Sequence, residues 1–456
     1  MQRSMIASLV IVMVALAAMV VWADPPVPGA PATGPATVPA TPPTAAPAVP
    51  AVLTFPAGKE LPAAEGLTED ICAASMDWLD RADGYVDKLV PIAEAAAGKL
   101  LAGGTLWVGG NGGLSDEADF RAGGFPFAKI WNGESLETND VLIVGAFAPN
   151  EMANRYAHPN FLARGNAGRR LEKGLVIWLA GHDWPQVARA LPMISSRFWD
   201  GRLAAVDTGA TAGASMKDRC LGMMSTTALM WVLHGETVAA ATRQGKTLAT
   251  YASDFEPGGK DWDKTVMGKH EHPSIKLDPI PAVKIGREYL KTCRAQVAEF
   301  AKTQPGQVRL AAGRMAAAMK ADKCVWAIFS GHVLARGASW PEEMKNLIMF
   351  GRSYDWRYTG QRIPAGDVLL HVGYLRYPGG DVKEATGRGV DVVVVSVDHG
   401  PTNEHVTHID SCWKNYDTVI DLPKYPIRIL PSSGVVQAPQ WYALMAETAK
   451  AMKAGK

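Results

Sequence analysis

"TLWVGGNGGLSDEADF", residues 105–120, begins as an apolar run of strand length and then breaks into glycine. Gly109, Gly110, Gly112 and Gly113 surround Asn111, and the acidic, alanine-containing stretch after them suits a helix. In an open parallel sheet, ligands lie beyond the carboxyl ends of the strands. A glycine-rich turn there presents backbone N–H groups, and the helix that follows adds partial positive charge; together they suit an anion. Gly110, Asn111, Gly112, Gly113 and Ser115 are therefore candidate ligand-binding residues. A tight strand-to-helix turn without a ligand fits the same glycines equally well.

Working outward, "DVLIVGAF" (140–147), "KGLVIWLAG" (173–181) and "RLAAVDTG" (202–209) are further continuous apolar runs, separated by helix-length segments. Such runs imply a parallel sheet covered on both faces. The order then repeats. "KCVWAIFSG" (323–331), "DVLLHVGY" (367–374) and "GVDVVVVSVDHG" (389–400) follow the same sequence of runs, and "DTVIDLP" (417–423) closes the series. Each half ends alike: residues 222–243 and 431–452 both place hydroxyls before an apolar helix that carries Trp and a Glu-Thr pair. This reads as an internal duplication, 67–250 and 285–456, joined by a linker at 251–284 rich in Gly, Pro and charge.

Ahead of the repeats, Arg3 precedes an apolar run from Met5 to Trp22. Residues 1–23 read as a secretory signal peptide or, since the run could span a bilayer, as an uncleaved membrane anchor. Residues 24–66, rich in Pro and Ala, form a linker that acts as an extended tether. An extracytoplasmic location follows. With 46 basic and 45 acidic residues and a net charge of +1, no field steers nucleic acid to this chain. The five cysteines are scattered without a CxxC pair and read as small buried hydrophobes.

The glycine loop, "DVLIVGAF", "LVIWLAG" and "SSGVVQAPQWYALMAE" resemble the sugar isomerase (SIS) domain family. The resemblance implies an α/β protein of two tandem flavodoxin-like three-layer αβα SIS domains with parallel sheets, the second degenerate. It also implies a sugar or sugar-phosphate ligand and, since SIS domains commonly dimerise, a homodimer. There are departures. Leu114 stands where the family has Ser after the double glycine, and neither "GAFAPNEMAN" nor "GYLRYPGGD" supplies the family's Ser/Thr loop after the second strand. The His and Glu that phosphoheptose isomerases present after the glycine loop correspond to Phe120 and Gly124.

Candidate acid/base groups are Glu117, in the helix after the glycine loop, and the strand-end residues His182 and His399, beside Asp183 and Asp398. A His near a carboxylate suits proton transfer between adjacent carbons, and helix capping by the aspartates is the alternative. Ser225, Thr226, Thr227, Ser432 and Ser433 are read at helix N-termini, where hydroxyls cap and can assist an anion. Ser330, Gly331 and His332 stand where the second glycine loop belongs. On a helix, His405 and His408 would share a face and, with Glu404, Asp410 or Cys412, could hold zinc. "KHEH" (269–272) is a weaker cluster. Neither matches a known zinc spacing, so no metal or cofactor is expected. Tyr354, Trp356 and Tyr358 could stack on a sugar ring. The reading is of a sugar or sugar-phosphate binder with weak or no isomerase activity. The alternatives are an aldose–ketose or amino-sugar phosphate isomerase and a non-catalytic structural envelope protein.

Overall fold

The first sheet holds six strands, β1 (Val52–Leu53), β2 (Leu106–Gly110), β3 (Ala128–Ile130), β4 (Val141–Gly145), β5 (Leu175–Ala180) and β6 (Leu203–Asp207). They lie in the order β1-β6-β5-β4-β2-β3, with every neighbouring pair parallel. The second holds five, β7 (Val325–Phe329), β8 (Leu347–Arg352), β9 (Val368–Val372), β10 (Asp391–Ser396) and β11 (Val406–Asp410), in the order β11-β10-β9-β7-β8, again parallel. The computed structural model describes residues 52–58, 61, 66–110, 112–119, 121–147, 171, 173–189, 202–329, 344–352, 363–413 and 415–454. The signal or anchor segment, most of the tether, and Asn111, Ser330, Gly331, His332, Tyr354, Trp356 and Tyr358 lie outside the described residues.

Setting β1 aside, each sheet reads 2-1-3-4-5 in chain order, the flavodoxin arrangement. The chain is thus a mixed α/β protein with two like-ordered parallel sheets in tandem. Paired aspartates mark the repeat. Asp140 accepts from Thr105 N (2.8 Å) and Trp107 Nε1 (3.1 Å), and Asp367 accepts from Cys324 N (3.2 Å) and Trp326 Nε1 (2.8 Å). At the far edge, Asp207 accepts from Gly209 N (2.9 Å) as Asp410 does from Cys412 N (2.7 Å).

Two details differ from the sequence reading. "DTVIDLP" does not close the second sheet: β12 (Thr418–Ile420) pairs antiparallel with β13 (Ile429–Pro431), and the closing strand is β11. The tether gives way to structure by Val52, because β1 adds to β6 and Phe55 stacks on Trp78 at 5.2 Å.

The described helices are α1 (Leu67–Leu101), α2 (Gly112–Ala118), α3 (Met216–Arg243), α4 (Gly259–Val266), α5 (Lys284–Thr303), α6 (Pro305–Lys320), α7 (Gly379–Thr386) and α8 (Ser433–Lys453). Alternate residues along the strands divide between two faces, as the period of two requires. Val141, Ile143, Leu175 and Ile177 of the first sheet and Val368, Leu370, Val393 and Val395 of the second enter one core with α1, α3, α5, α6 and α8. Leu142, Val144, Val176 and Trp178 face a separate outer cluster, as do Leu369, Val392 and Val394 on the second sheet. The sheets therefore share a helical layer between them. Helix α3 is buried on all sides over most of its length, which explains its lack of a polar face.

The repeated Glu-Thr pair has a structural cause. Glu236 of α3 accepts from Val283 N and Gly286 N, both at 2.8 Å, at the start of α5 in the second half. Glu447 of α8 accepts from Thr68 N and Thr68 Oγ1, both at 3.3 Å, at the start of α1 in the first half. Each closing helix satisfies otherwise unpaired amide donors of the other half's opening helix, where a carboxylate also meets favourable helix charge. The segment 251–284 is packed too: Trp262 and Val266 of α4 join Ala249 and Tyr251 in a small cluster.

Helix α3 presses on the end of the first sheet. A Cβ on Gly222 would lie 1.8 Å from the Phe147 carbonyl oxygen. Gly222→Ala is expected to cost about 1–3 kcal/mol through overpacking, read as a lower denaturation midpoint. An unchanged midpoint would mean that this contact is slack.

Candidate functional site

In a 2-1-3-4-5 sheet, the strand order reverses between the first and third strands, and ligands of open α/β sheets favour that crevice. In the first half it lies beyond the paired ends Gly110 and Gly145. Gly110 has φ +104°, and a Cβ there would lie 2.1 Å from the Gly145 oxygen, so the turn demands glycine for backbone approach. Gly145 is closely packed as well. A Cβ on Gly145 would meet Leu114 Cδ2 and Thr226 Cγ2, each at 2.8 Å, and both residues are fully buried. Gly110, Gly113 and Ser115 all have partners within the protein. Leu114 thus packs against the strand end Gly145 beneath the glycine turn. In the second half, Phe329 packs edge-on to Trp441 at 5.0 Å, and Gln437 Nε2 donates to Gly373 O at 3.2 Å, beside the corresponding strand ends.

Ser225, Thr226 and Thr227 are not at a helix N-terminus. Helix α3 begins nine or so residues earlier, by the numbering. Its cap is Ser215, whose Oγ accepts from Asp218 N (3.1 Å) while Asp218 accepts from Ser215 N (3.2 Å), a reciprocal capping box. Thr226 Oγ1 instead donates to Ala146 O at 3.0 Å.

Ser432 and Ser433 do stand at the start of α8, and an anion is already there: the carboxylate of Asp417. Its Oδ1 accepts from Ser432 N (3.0 Å), Ser433 N (2.5 Å) and Ser432 Oγ (3.4 Å). Its Oδ2 accepts from Ser433 Oγ (2.7 Å), Tyr374 Oη (2.8 Å) and Arg121 Nη2 (2.7 Å). Arg121 Nη2 also donates to Ser433 Oγ. Arg121 reaches back to Glu117 Oε1 at 3.4 Å, which accepts from Trp231 Nε1 at 3.0 Å as well. Glu117 and Asp417 are wholly buried and Arg121 nearly so. The cluster joins the helix after the glycine loop to the closing helix of the other half.

Burial, and then the charge of Asp417, push the Glu117 carboxyl up from 4.5 to about 7 against the pull of Arg121. Burial alone would lower the Arg121 guanidinium, but Glu117 and Asp417 raise it and keep it charged. The neutral state of the cluster is therefore protonated Glu117, Arg121 cation and Asp417 anion. A carboxyl titrating near neutrality suits acid/base work. Glu117, however, is sealed: a Cβ on Gly434 would come within 2.2 Å of its Oε1. Its Oε2 is buried without a partner.

Toward solvent, Tyr374 is bordered by Phe255 (ring centroids 5.5 Å apart) and by the turn carrying Tyr416, both exposed. The Arg376 guanidinium lies 5.4 Å over the Phe255 ring. These side chains flank Tyr374 on the solvent side of the polar cluster.

The strand-end histidines lie apart from it in their own settings. His182 N donates to Asp207 Oδ1 at 3.2 Å, and burial lowers the imidazole's proton affinity. His399 Nε2 pairs with Asp410 Oδ2 at 3.1 Å on an exposed edge. The register Ala180–Asp207 and Ser396–Asp410 makes His182 equivalent to Asp398, and Asp183 to His399, so the two pairs recur with their order exchanged. His405 and His408 do not share a helix face. His408 is on β11 and His405 just before it; they bond Ser396 Oγ (3.0 Å) and Asp391 Oδ1 (2.9 Å) separately. No group of His, Cys, Asp and Glu among the described residues is arranged to hold a metal ion. Sequence reasoning missed Arg121, Tyr374 and Asp417. The available signal was Arg121 four residues after Glu117, the spacing of a helical ion pair.

Fold and site together define an α/β protein of two parallel flavodoxin-type sheets with a buried ionic cluster at their junction. No protein family matches the chain, and no curated protein does either. Among solved structures, it is similar to a provisionally assigned sugar binding protein from Salmonella typhimurium LT2, at 9% identity and a TM-score of 0.43 over 85% of this chain and 99% of that one.

Proposed function

We propose that this is an extracytoplasmic protein of tandem SIS type, with halves at 67–250 and 285–456, that binds a sugar derivative without isomerising it. The observation that carries the reading is the cluster of Glu117, Arg121, Tyr374, Asp417, Ser432 and Ser433, with Phe255 and Tyr416 on its solvent side. A few convergent polar groups beside apolar ring faces are what a hydroxyl-rich ligand requires. Lack of turnover follows from Glu117, whose carboxyl is enclosed by Trp231, Arg121 and the first turn of α8. A general base must come within hydrogen-bond reach of the proton it removes. The apolar run at 5–22 and the proline-rich stretch after it support export and tethering.

Calorimetry of the full chain against neutral hexoses, amino sugars, sugar acids and sugar phosphates tests this. Saturable binding of at least one class is expected, weakened about tenfold or more in Tyr374→Ala, with no aldose–ketose exchange of the bound sugar by NMR. Binding by no class would leave the molecule an envelope scaffold. Turnover would make it an isomerase. Either result overturns the proposal.

A further inference from the structure

We infer that the slot between α1 and the outer edge of β6 is a docking groove for an extended peptide of another protein, and that tether residues 52–56 are its resident, displaceable occupant. The groove takes an aliphatic residue, an aromatic one two places on and then proline, as in Leu53, Phe55 and Pro56.

Three observations converge. First, the tether is held as added-strand peptides are held, by its main chain and one anchor ring. Val52 and Leu53 pair in parallel with Ala205 and Val206. Alternate residues turn inward, so that Leu53 and Phe55 are buried while Val52 and Thr54 are exposed. Phe55 N donates to Asp207 Oδ2 at 3.2 Å, and Arg81 Nη1 and Lys88 Nζ donate to the carbonyls of Pro56 (2.7 Å) and Thr54 (3.2 Å). The Phe55 ring lies flat on Trp78 at 5.2 Å, edge-on to Tyr85 at 5.0 Å, with the Arg81 guanidinium 5.1 Å from its centre. A Cβ on Gly209 would lie 2.3 Å from that ring, so glycine makes room for it.

Second, the groove is fixed by bonds that do not involve the tether. Asp207 Oδ1 accepts from His182 N (3.2 Å) and Gly209 N (2.9 Å). Arg81 Nε pairs with Asp77 (2.8 Å), and Trp78 Nε1 donates to Thr208 O (2.8 Å). A groove preformed in this way loses little freedom when a peptide enters. Third, the tether is a short occupant. It pairs with two of the five residues of β6, and Pro50, two places before Val52, has no N–H to lengthen the ladder. Among the described residues, Leu203 and Ala204 have no ladder partner on this edge. A foreign segment with N–H groups there would extend onto them. It needs that advantage, because a short linker gives the tether an effective concentration of about millimolar.

The test uses the full chain and a fluorescent peptide of residues 49–57 carrying Pro50→Val, followed by anisotropy. Phe55→Ala in the chain removes the resident's anchor ring and leaves the groove's own residues in place. This variant is expected to bind the peptide at least about tenfold more tightly than the wild type does, because its internal competitor is weakened. The same peptide with Phe55→Ala should not bind, and the peptide with native Pro50 should bind several-fold more weakly. If the variant chain folds and shows no gain, the inference is overturned. Binding that ignores the ring overturns it as well. So does equal binding with and without Pro50, since a foreign segment would then have no advantage over the tether. Should Phe55→Ala fail to fold, hydrogen exchange of the wild type decides. Excess peptide speeds exchange at the amides of residues 53–55 if the tether is displaced, and leaves them unchanged if the tether is a fixed strand.

Discussion

Arg121→Met is expected to lower stability by about 3–5 kcal/mol, the cost of leaving a buried charge without its partner. The guanidinium is the counter-charge to both Glu117 and Asp417, and its side chain is 3% exposed. Methionine fills most of the volume, so the loss isolates the charge from packing. Glu117 can escape by keeping its proton, whereas Asp417 is left with two amides, two serine hydroxyls and Tyr374 as its remaining donors and no counter-charge. Since the Arg121–Asp417 contact spans 296 residues, the variant should also loosen the junction of the halves. Denaturant midpoints at neutral pH measure the effect. Adding Asp417→Asn should restore about 1–3 kcal/mol, the coupling expected of groups in direct contact. A single-variant loss below about 1 kcal/mol would show that water already reaches the cluster.

The parallel sheets were legible because their strands are buried on both faces and therefore read as unbroken apolar runs. The repeat was legible through "DVLI" and "DVLL", whose leading aspartates Asp140 and Asp367 make equivalent bonds to a strand amide and a tryptophan. Strand β11 was not, because "VTHID" carries His, Thr and Asp where a polar loop is the simpler reading. Its His408 and Thr407 are nevertheless buried in the sheet. Strands β1 and β3 are too short to show a period. The hydroxyls at 225–227 looked like caps because they precede apolar residues, whereas the true signal was Ser215 with Asp218 three residues on. The Glu-Thr pair was visible as a repeat, but its role was not, since each glutamate's partner lies in the other half. The site was hidden for the same reason. Glycines at 109–113 describe a turn that can receive an anion, and they are silent on the packing of Leu114 against Gly145. Likewise Ser432 and Ser433 predicted an anion without revealing that the chain supplies its own.

Relative to Glu117→Gln, the wild type is expected to lose about 3 kcal/mol of stability as pH rises from about 4.5 to about 8. Folding raises the Glu117 carboxyl from 4.5 to about 7, chiefly by burial and then by the nearby Asp417. Between those values, the folded protein holds a proton that the unfolded chain has released. The associated stability is complete below 4.5 and disappears as pH climbs through about 7, where the folded state must carry two buried carboxylates against one arginine. Glutamine is neutral throughout and keeps an oxygen for Trp231 and Arg121, so its profile lacks this component. Asp263, raised to about 6, and His234 and His371, lowered to about 4, titrate in both proteins and cancel in the difference. Urea midpoints of the two proteins at a series of pH values give that difference directly. A conventional ion pair between Glu117 and Arg121 would depress the carboxyl and make the difference grow with pH instead. That opposite slope would reject a protonated Glu117, and with it the neutral cluster at the junction of the two sheets.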